Sequence, residues 1–306
     1  MEGEGKSKVS LDLGLEGTYL YGTDEMKSCL VIGASRGIGR QIALTFSASG
    51  YKVGVAAKTT ESTDKLPGSI HTVVQEIKST GGTAVPIQCD VRSEHEIKSA
   101  VETCIERFGD LDVAIYNAGA ITWDTVKDTP LKRYDLMQSV NVRGAYCMVQ
   151  EILPRFLERK KGKIILVSPP IYNRFFKGKT PYAITKVGMT VLVHGLANEL
   201  KDTGVSISTL WPATGIKSFV TDKMNLPDKL MRKPEIFADA MMTLANEQSD
   251  KYNGQALIDE DLLRSVGVTD FSKYRCDPEH EPERMMPRQF PSLKVDEENY
   301  DVFPKL

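Results

Sequence analysis

Short apolar runs and longer amphipathic runs alternate along the chain from Lys27 to about residue 270. The apolar runs, read as strands, fall at 28–32, 52–57, 83–88, 111–116, 163–168, 205–211 and 254–258. Several are unbroken, such as Ile164-Ile165-Leu166-Val167, and lack the polar alternation of a strand with one wet face. Such runs suit strands covered on both sides. Between them, apolar positions at helical spacing predict helices over 37–49, 69–80, 93–108, 132–160, 182–202 and 234–246. The alternation implies an α/β fold: a doubly wound parallel sheet of about seven strands, with right-handed crossovers and helices on both faces.

Pro154 lies inside the 132–160 run and predicts a kink or a break there. The connection 58–68 is polar and long for a strand-to-helix link, so it is expected at the surface. No repeat or linker divides 27–270, which reads as one domain. A Gly- and charge-rich arm, 1–26, precedes it. A Pro- and charge-rich tail, 271–306, follows; it is expected to lack regular structure while its Phe, Met and Tyr side chains lie against the domain.

With 306 residues, 41% hydrophobic and 26% charged, the chain has the composition of a soluble globular protein able to bury a large core. A net charge of −2 argues against a nucleic-acid partner. No apolar stretch reaches membrane-span length, and the opening Met-Glu-Gly-Glu lacks the basic start of a signal peptide. The five cysteines, Cys29, Cys89, Cys104, Cys147 and Cys276, form no CxxC pair and read as reduced, mostly buried thiols. The four histidines show no metal-ligand spacing, so no metal site is expected.

Chemistry concentrates at a few places. Gly33-Ala34-Ser35-Arg36-Gly37-Ile38-Gly39 joins the first strand to the first helix. Spaced glycines allow a sharp turn and a close approach of backbone to a pyrophosphate, and the helix start offers free N–H groups. Tyr182 and Lys186 are four apart, on one face of a predicted helix. A phenol holds its proton to a pKa of about 10, and a nearby ammonium favours the phenolate, so the pair can move a proton. Tyr116-Asn117-Ala118-Gly119 closes the fourth strand, Cys89-Asp90-Val91 the third, and Asn141-Val142-Arg143-Gly144 lies in the long helix. Singly, each has a structural alternative: Asn117 as a turn former, Asp90 as a helix cap, Asn141 as a satisfied core residue, Tyr182 and Lys186 as members of an ordinary helix. Their joint order argues against that.

In this order the glycine turn, Asn117-Ala118-Gly119, Asn141 and Tyr182-xxx-Lys186 resemble the short-chain dehydrogenase/reductase family, over roughly residues 27–260. The resemblance implies a Rossmann fold and hydride transfer with a nicotinamide cofactor. Tyr182 would be the acid/base, Lys186 would tune it and hold the nicotinamide ribose, and Asn141 would position a water of the proton relay. Gly33, Arg36, Gly37, Ile38 and Gly39 would cradle the pyrophosphate. Asp90 would meet the adenine, Asn117 the adjoining ribose, with Ser35, Val91, Ala118 and Gly119 beside them. Pro212 and Ile216 would flank the nicotinamide amide. Family members commonly associate through the helices carrying Asn141 and Tyr182, which implies a homo-oligomer, dimer or tetramer.

One position departs from the family. The usual serine that binds the substrate oxygen falls at Pro169, which offers no donor. Such a donor contributes about 2.7–4 kcal/mol to a transition state. The adjacent Ser168 is the candidate replacement, if the loop 169–181 is remodelled; the alternative is that it only caps a strand.

An NAD site wants an acid about 20 residues past the glycine turn. The stretch Val53-Gly54-Val55-Ala56-Ala57-Lys58 has none and ends in a lysine. With Arg36, Lys58 would receive a 2′-phosphate, which points to NADP(H). Phe219, Val220, Met224 and Leu226 in the run 216–226, with Phe175 and Phe176, predict a mouth for a small lipophilic carbonyl, hydroxyl or acyl compound, fatty-acyl or steroid-like. The alternative is that they pack on the sheet. Pro304-Lys305-Leu306 resembles the peroxisomal address Ser-Lys-Leu. The rival reading is an NADP(H)-binding scaffold or redox sensor whose catalysis is impaired at Pro169. A lipid-binding protein would leave the nucleotide residues idle.

Overall fold

Each apolar run forms a strand within two residues of its predicted bounds in the computed structural model, which describes residues 26–248 and 251–294. The chain runs β1 (Ser28–Ile32), α1 (Gly37–Ala48), β2 (Lys52–Ala57), α2 (Ile70–Ser79), β3 (Ala84–Gln88), α3 (Glu94–Phe108), β4 (Val113–Tyr116), α4 (Leu131–Met137) and α5 (Gly144–Arg159). It continues through β5 (Gly162–Val167), α6 (Asn173–Phe176), α7 (Thr180–Glu199), β6 (Val205–Trp211), β7 (Gly215–Ile216) and α8 (Phe219–Lys223). Last come β8 (Met231–Arg232), α9 (Glu235–Asn246), β9 (Ala256–Ile258) and α10 (Asp259–Ser265).

Seven strands pair in parallel in the order β3-β2-β1-β4-β5-β6-β9. Alternate residues of each strand feed opposite faces. Cys29, Val31, Ile165 and Val167 join the core under α1, α2, α9 and α10, while Leu30, Ile32, Ile164 and Leu166 join the core under α3, α5 and α7. Both faces are covered, which is why several of the strands read as unbroken apolar runs.

The predicted helix 132–160 is broken, at a different place from the one expected. The Tyr116 hydroxyl donates to the Val140 carbonyl, the acceptor that the Gly144 N–H would claim in an α-helix. The Gly144 N–H bonds the Ser139 and Asn141 carbonyls instead, and residues Gln138–Arg143 form a π turn. A Cβ at Gly144 would collide with the Tyr116 hydroxyl, so the turn needs glycine there. At Pro154, by contrast, α5 runs on. Pro154 and Gln150 are both exposed, which leaves the carbonyl freed by the missing N–H open to solvent.

The connection 58–68 is largely exposed, as expected, with Gly68 folded back against the glycine turn. The helices α6, α8 and α10 and the β7–β8 pair were not predicted; each is short and held by tertiary contacts rather than by pattern. Beyond Phe271 the chain has one turn of 3₁₀ helix, Ser272–Tyr274, and then neither helix nor strand to residue 294. It is nonetheless packed: Phe271, Tyr274 and Met286 are buried. The arm up to residue 25 and Pro304-Lys305-Leu306 lie outside the described residues. Among the described residues all five cysteines are free thiols, no helix is long and apolar enough to cross a membrane, and no cluster of metal-ligating side chains occurs.

Candidate active site

The sheet order reverses between β1 and β4, and the chain leaves both strands through the residues singled out by the sequence. Gly33 has φ +90°, and a Cβ there would lie 2.6 Å from the Ala118 backbone nitrogen. Asn117 Nδ2 donates to the Gly33 carbonyl at 2.9 Å, tying the two strand ends together. A Cβ at Gly39 would collide with that same carbonyl, so α1 starts seated directly on the turn. Among the described residues no side chain caps α1 and no acid lies in its first turn. A Cβ at Gly37 would meet nothing closer than Ser218 Cβ at 3.5 Å. A glycine cradle below a helix start with free N–H groups fits a pyrophosphate.

At the adenosine end the structure changes two expectations. Arg36 turns away from the cradle: its Nε and Nη2 donate to the Pro67 and Gly68 carbonyls at 2.9 and 2.7 Å. Asp90 is already paired, taking Arg92 Nε at 2.9 and 3.1 Å. That hydrogen bond, reinforced by the charges of Arg92 and Lys58, holds the Asp90 carboxyl below its ordinary range against a smaller desolvation effect. Lys58 is exposed at the end of β2 and faces Asp90 electrostatically, where a ribose 2′-substituent would come. Ser35 and Val91 are buried and Ala118 half-buried; Ile38 packs against the core.

Tyr182 and Lys186 are both buried on the sheet-facing side of α7. Lys186 Nζ donates to the Val167 carbonyl at 2.9 Å, at the end of β5. Burial pushes the Tyr182 phenol above its ordinary value and lowers the Lys186 ammonium to about 7. The acidification expected of the phenol is therefore outweighed here by the loss of water around both groups. Asn141 is fully buried in the π turn. Its Oδ1 accepts from the Ala120 N–H at 2.8 Å, and its Nδ2 reaches the Ala120 carbonyl at 2.9 Å and Thr185 Oγ1 at 2.8 Å. A Cβ at Gly119 would lie 3.6 Å from both Asn141 Oδ1 and Lys186 Nζ, so the strand end, the π turn and α7 converge.

Ser168 does not join this group, and the expectation that it replaces the missing serine is corrected. It is fully buried, and its hydroxyl is bonded by Thr190 Oγ1 at 2.9 Å. The same Thr190 hydroxyl reaches the Pro169 carbonyl at 2.7 Å. Thr190 is eight residues beyond Tyr182, about 12 Å along the helix.

Three residues escaped the sequence reading. Thr185 Oγ1 bonds the Tyr182 carbonyl at 2.8 Å and so locks Asn141 to α7; its offset of three from Tyr182 was the available signal. The Trp211 ring lies 5.8 Å from Lys186 Nζ and edge-on to Phe175 at 5.7 Å. Tyr172 stands 6.0 Å from Phe175, which in turn is 6.4 Å from Tyr182. Pro212 is half-buried, and Ile216 is buried at the base of a loop pinched by β7 and β8. Above it, Val220 and Met224 are 42% and 39% exposed, so they do not pack on the sheet.

Comparison with known proteins agrees with this fold. The short chain dehydrogenase family model matches residues 27–227, and the chain belongs to that family. It is 39% identical over 267 residues to hydroxysteroid dehydrogenase-like protein 2 of Danio rerio, covering 85% of this chain and 64% of that protein. A short chain dehydrogenase of Mycobacterium thermoresistibile superposes with TM-score 0.79 at 38% identity, over 85% of this chain and 94% of that one. A putative dehydrogenase of Xanthomonas campestris gives TM-score 0.80 at 36% identity, over 89% and 99%. The chain thus spans under two thirds of the zebrafish relative it matches. The family is one of dehydrogenases.

Proposed function

We propose that this chain transfers hydride between NADP(H) and a lipophilic carbonyl or hydroxyl compound, with Tyr182 as the acid/base. The observation that carries the reading is the convergence of Gly119, Asn141 and Lys186, which puts the catalytic helix against the edge of the nucleotide cradle. Gly33, Gly37 and Gly39 would hold the pyrophosphate, Gly119 and Lys186 the nicotinamide ribose, and Pro212 and Ile216 the carboxamide. The cofactor supplies the hydride when bound. A phenol kept protonated by burial is in the state needed to donate to a carbonyl oxygen. Lys186, four residues on along the same helix, has its ammonium lowered by burial to about 7, which supports a role in proton exchange near neutral pH. The exposed Lys58, with no acid in β2, supports NADP(H) over NAD(H). The outer faces of α5 and α7 leave Tyr146 and Val191 more than half exposed, which supports self-association through these helices.

The burial of Ser168 against Thr190 favours a second reading, a nucleotide-binding sensor without turnover. One experiment separates the two: NADPH consumption against ketones, enals and acyl-CoA thioesters, with Tyr182→Phe alongside. Turnover by the wild type that Tyr182→Phe abolishes, with NADPH still bound, supports the enzyme. Tight NADPH binding without turnover of any compound supports the sensor.

A further inference from the structure

The C-terminal segment returns to the substrate side and is fastened there at several points. Arg232, 1% exposed, donates from Nε to Glu260 at 2.7 Å and from Nη2 to Glu281, and Arg275 Nε holds the other oxygen of Glu281 at 2.6 Å. Arg284 then grips Asp261 of α10 with both Nη1 and Nη2, at 2.7 and 2.5 Å. From there the backbone meets the loop after β6: the Met285 and Met286 N–H groups donate to the Ala213 carbonyl at 2.8 and 3.1 Å. The N–H of the same Ala213 donates to buried Asp259 at 2.8 Å. Arg174, in α6, donates to the Met285 carbonyl.

These fastenings place two apolar side chains. Met286 is 5% exposed; it packs with Ala213 and Ile258 and takes the Tyr172 hydroxyl on its sulfur at 3.2 Å. Phe290 stands edge-on to Tyr172 with ring centres 5.5 Å apart. Tyr172 and Trp211 belong to this cluster and also to the cluster that contains Phe175 and Tyr182. Rings therefore follow one another without a gap from Phe290 through Tyr172 and Phe175 to the phenol of Tyr182.

We propose that Met286 and Phe290, carried in by the C-terminal segment, are specificity-determining residues: with Tyr172 they form the far wall of the substrate site and select for an extended apolar group on the reacting carbon. The inference rests on Tyr182 marking the reacting end. A flexible thioether beside rings suits chains or ring systems of varied outline, since it repacks around them. Fixing the wall through backbone bonds to Ala213, one residue past Pro212, couples it to the loop on the nicotinamide side.

The test uses the full chain and straight-chain 2-alkanones from 2-butanone to 2-dodecanone. In the wild type kcat/KM should rise by about three- to fourfold for each methylene that enters the wall. In Met286→Ala/Phe290→Ala the rise should stop, leaving long ketones about tenfold or more behind the wild type. NADPH affinity should stay within about twofold, because the replaced side chains do not meet the nucleotide. Phe290→Leu, which keeps an apolar side chain, should fold where the double variant does not and recover part of the slope. Parallel slopes in wild type and variants overturn the proposal. Should the wild type reduce no ketone, the reading of Tyr182 fails, yet the wall is still tested by displacing 1-anilinonaphthalene-8-sulfonate from the NADPH-saturated protein with the same ketones. Displacement that strengthens with chain length only in the wild type supports the wall, and identical displacement in both overturns it.

Discussion

The proposed nucleotide side and the proposed substrate side of the site are built from different materials. On the nucleotide side the working groups are backbone: Gly33 and Gly39 fit because a side chain would strike Ala118 or the turn itself, and Asn117 closes the assembly with one bond to Gly33. All of it comes from two strand ends and a helix start. On the proposed substrate side the candidate groups are side chains from six separate places: Asn141, Tyr172, Tyr182 with Lys186, Trp211, the 216–231 loop and Met286 with Phe290. Backbone constraints restrict residue type over short spacings. Side-chain constellations restrict only what meets in space.

Changes on the two sides should therefore fail in different ways. The largest effect is expected from Gly33→Ala, which adds a Cβ 2.6 Å from the Ala118 nitrogen at φ +90°. We expect a loss of about 3–5 kcal/mol in stability, read by chemical denaturation, with NADPH binding lost alongside. Near-normal stability would mean that the turn is softer than its packing implies. Next, Lys58→Asp should move the NADPH-to-NADH preference toward NADH by about 1.5–3 kcal/mol, measured as a ratio of dissociation constants with fold and Tm kept. An unchanged ratio would separate Lys58 from the 2′-phosphate.

A smaller, pH-dependent effect belongs to Asp259. Burial raises this carboxyl to about 7, with the Ala213 and Glu260 N–H groups and the Arg232 charge opposing the shift and the Glu260 charge adding to it. The native state thus keeps a proton that the unfolded chain has released. That contribution to stability is full below about pH 4, the unfolded value, and is lost as pH rises through 7. Asp259→Asn should flatten the pH dependence of Tm between those values. Lys186 acts in the opposite sense above 7, where the unfolded chain binds the extra proton and stability rises with pH, so the scan is best kept below it. The smallest effect is expected from Ser168→Ala: turnover within about twofold, and a stability loss of about 1 kcal/mol from the Thr190 bond. A large loss of kcat would return Ser168 to the catalytic machinery.

What could be read from the sequence follows the same division. Strands β1 and β2 coincide with their runs because burial on both faces favours apolar side chains, and β6 keeps its bounds with Ser206, Ser208 and Thr209 buried among apolar neighbours. Tyr182 and Lys186 were legible because one helix face fixes their spacing. The π turn was not, since it arises from Tyr116 and Gly144, on different elements, competing at Val140. Pro154 misled because its effect depends on whether the freed carbonyl meets water, which exposure decides and sequence does not state. Ser168 misled for a related reason: its hydroxyl is taken up by Thr190 of α7, a contact that adjacency to Pro169 in the sequence does not reveal. The short α8 did carry a local signal, Ser218 and Thr221 forming a capping box, within a loop too short for periodicity to show.

The most direct measurement uses NADPH deuterated at the transferring position, with a reducible carbonyl and mass spectrometry of the product. The account expects one deuterium on the product carbon with the wild type and none with Tyr182→Phe, while both proteins bind NADPH equally. Equal labelling by both, or a wild type that binds NADPH and transfers no deuterium to any carbonyl, would contradict it.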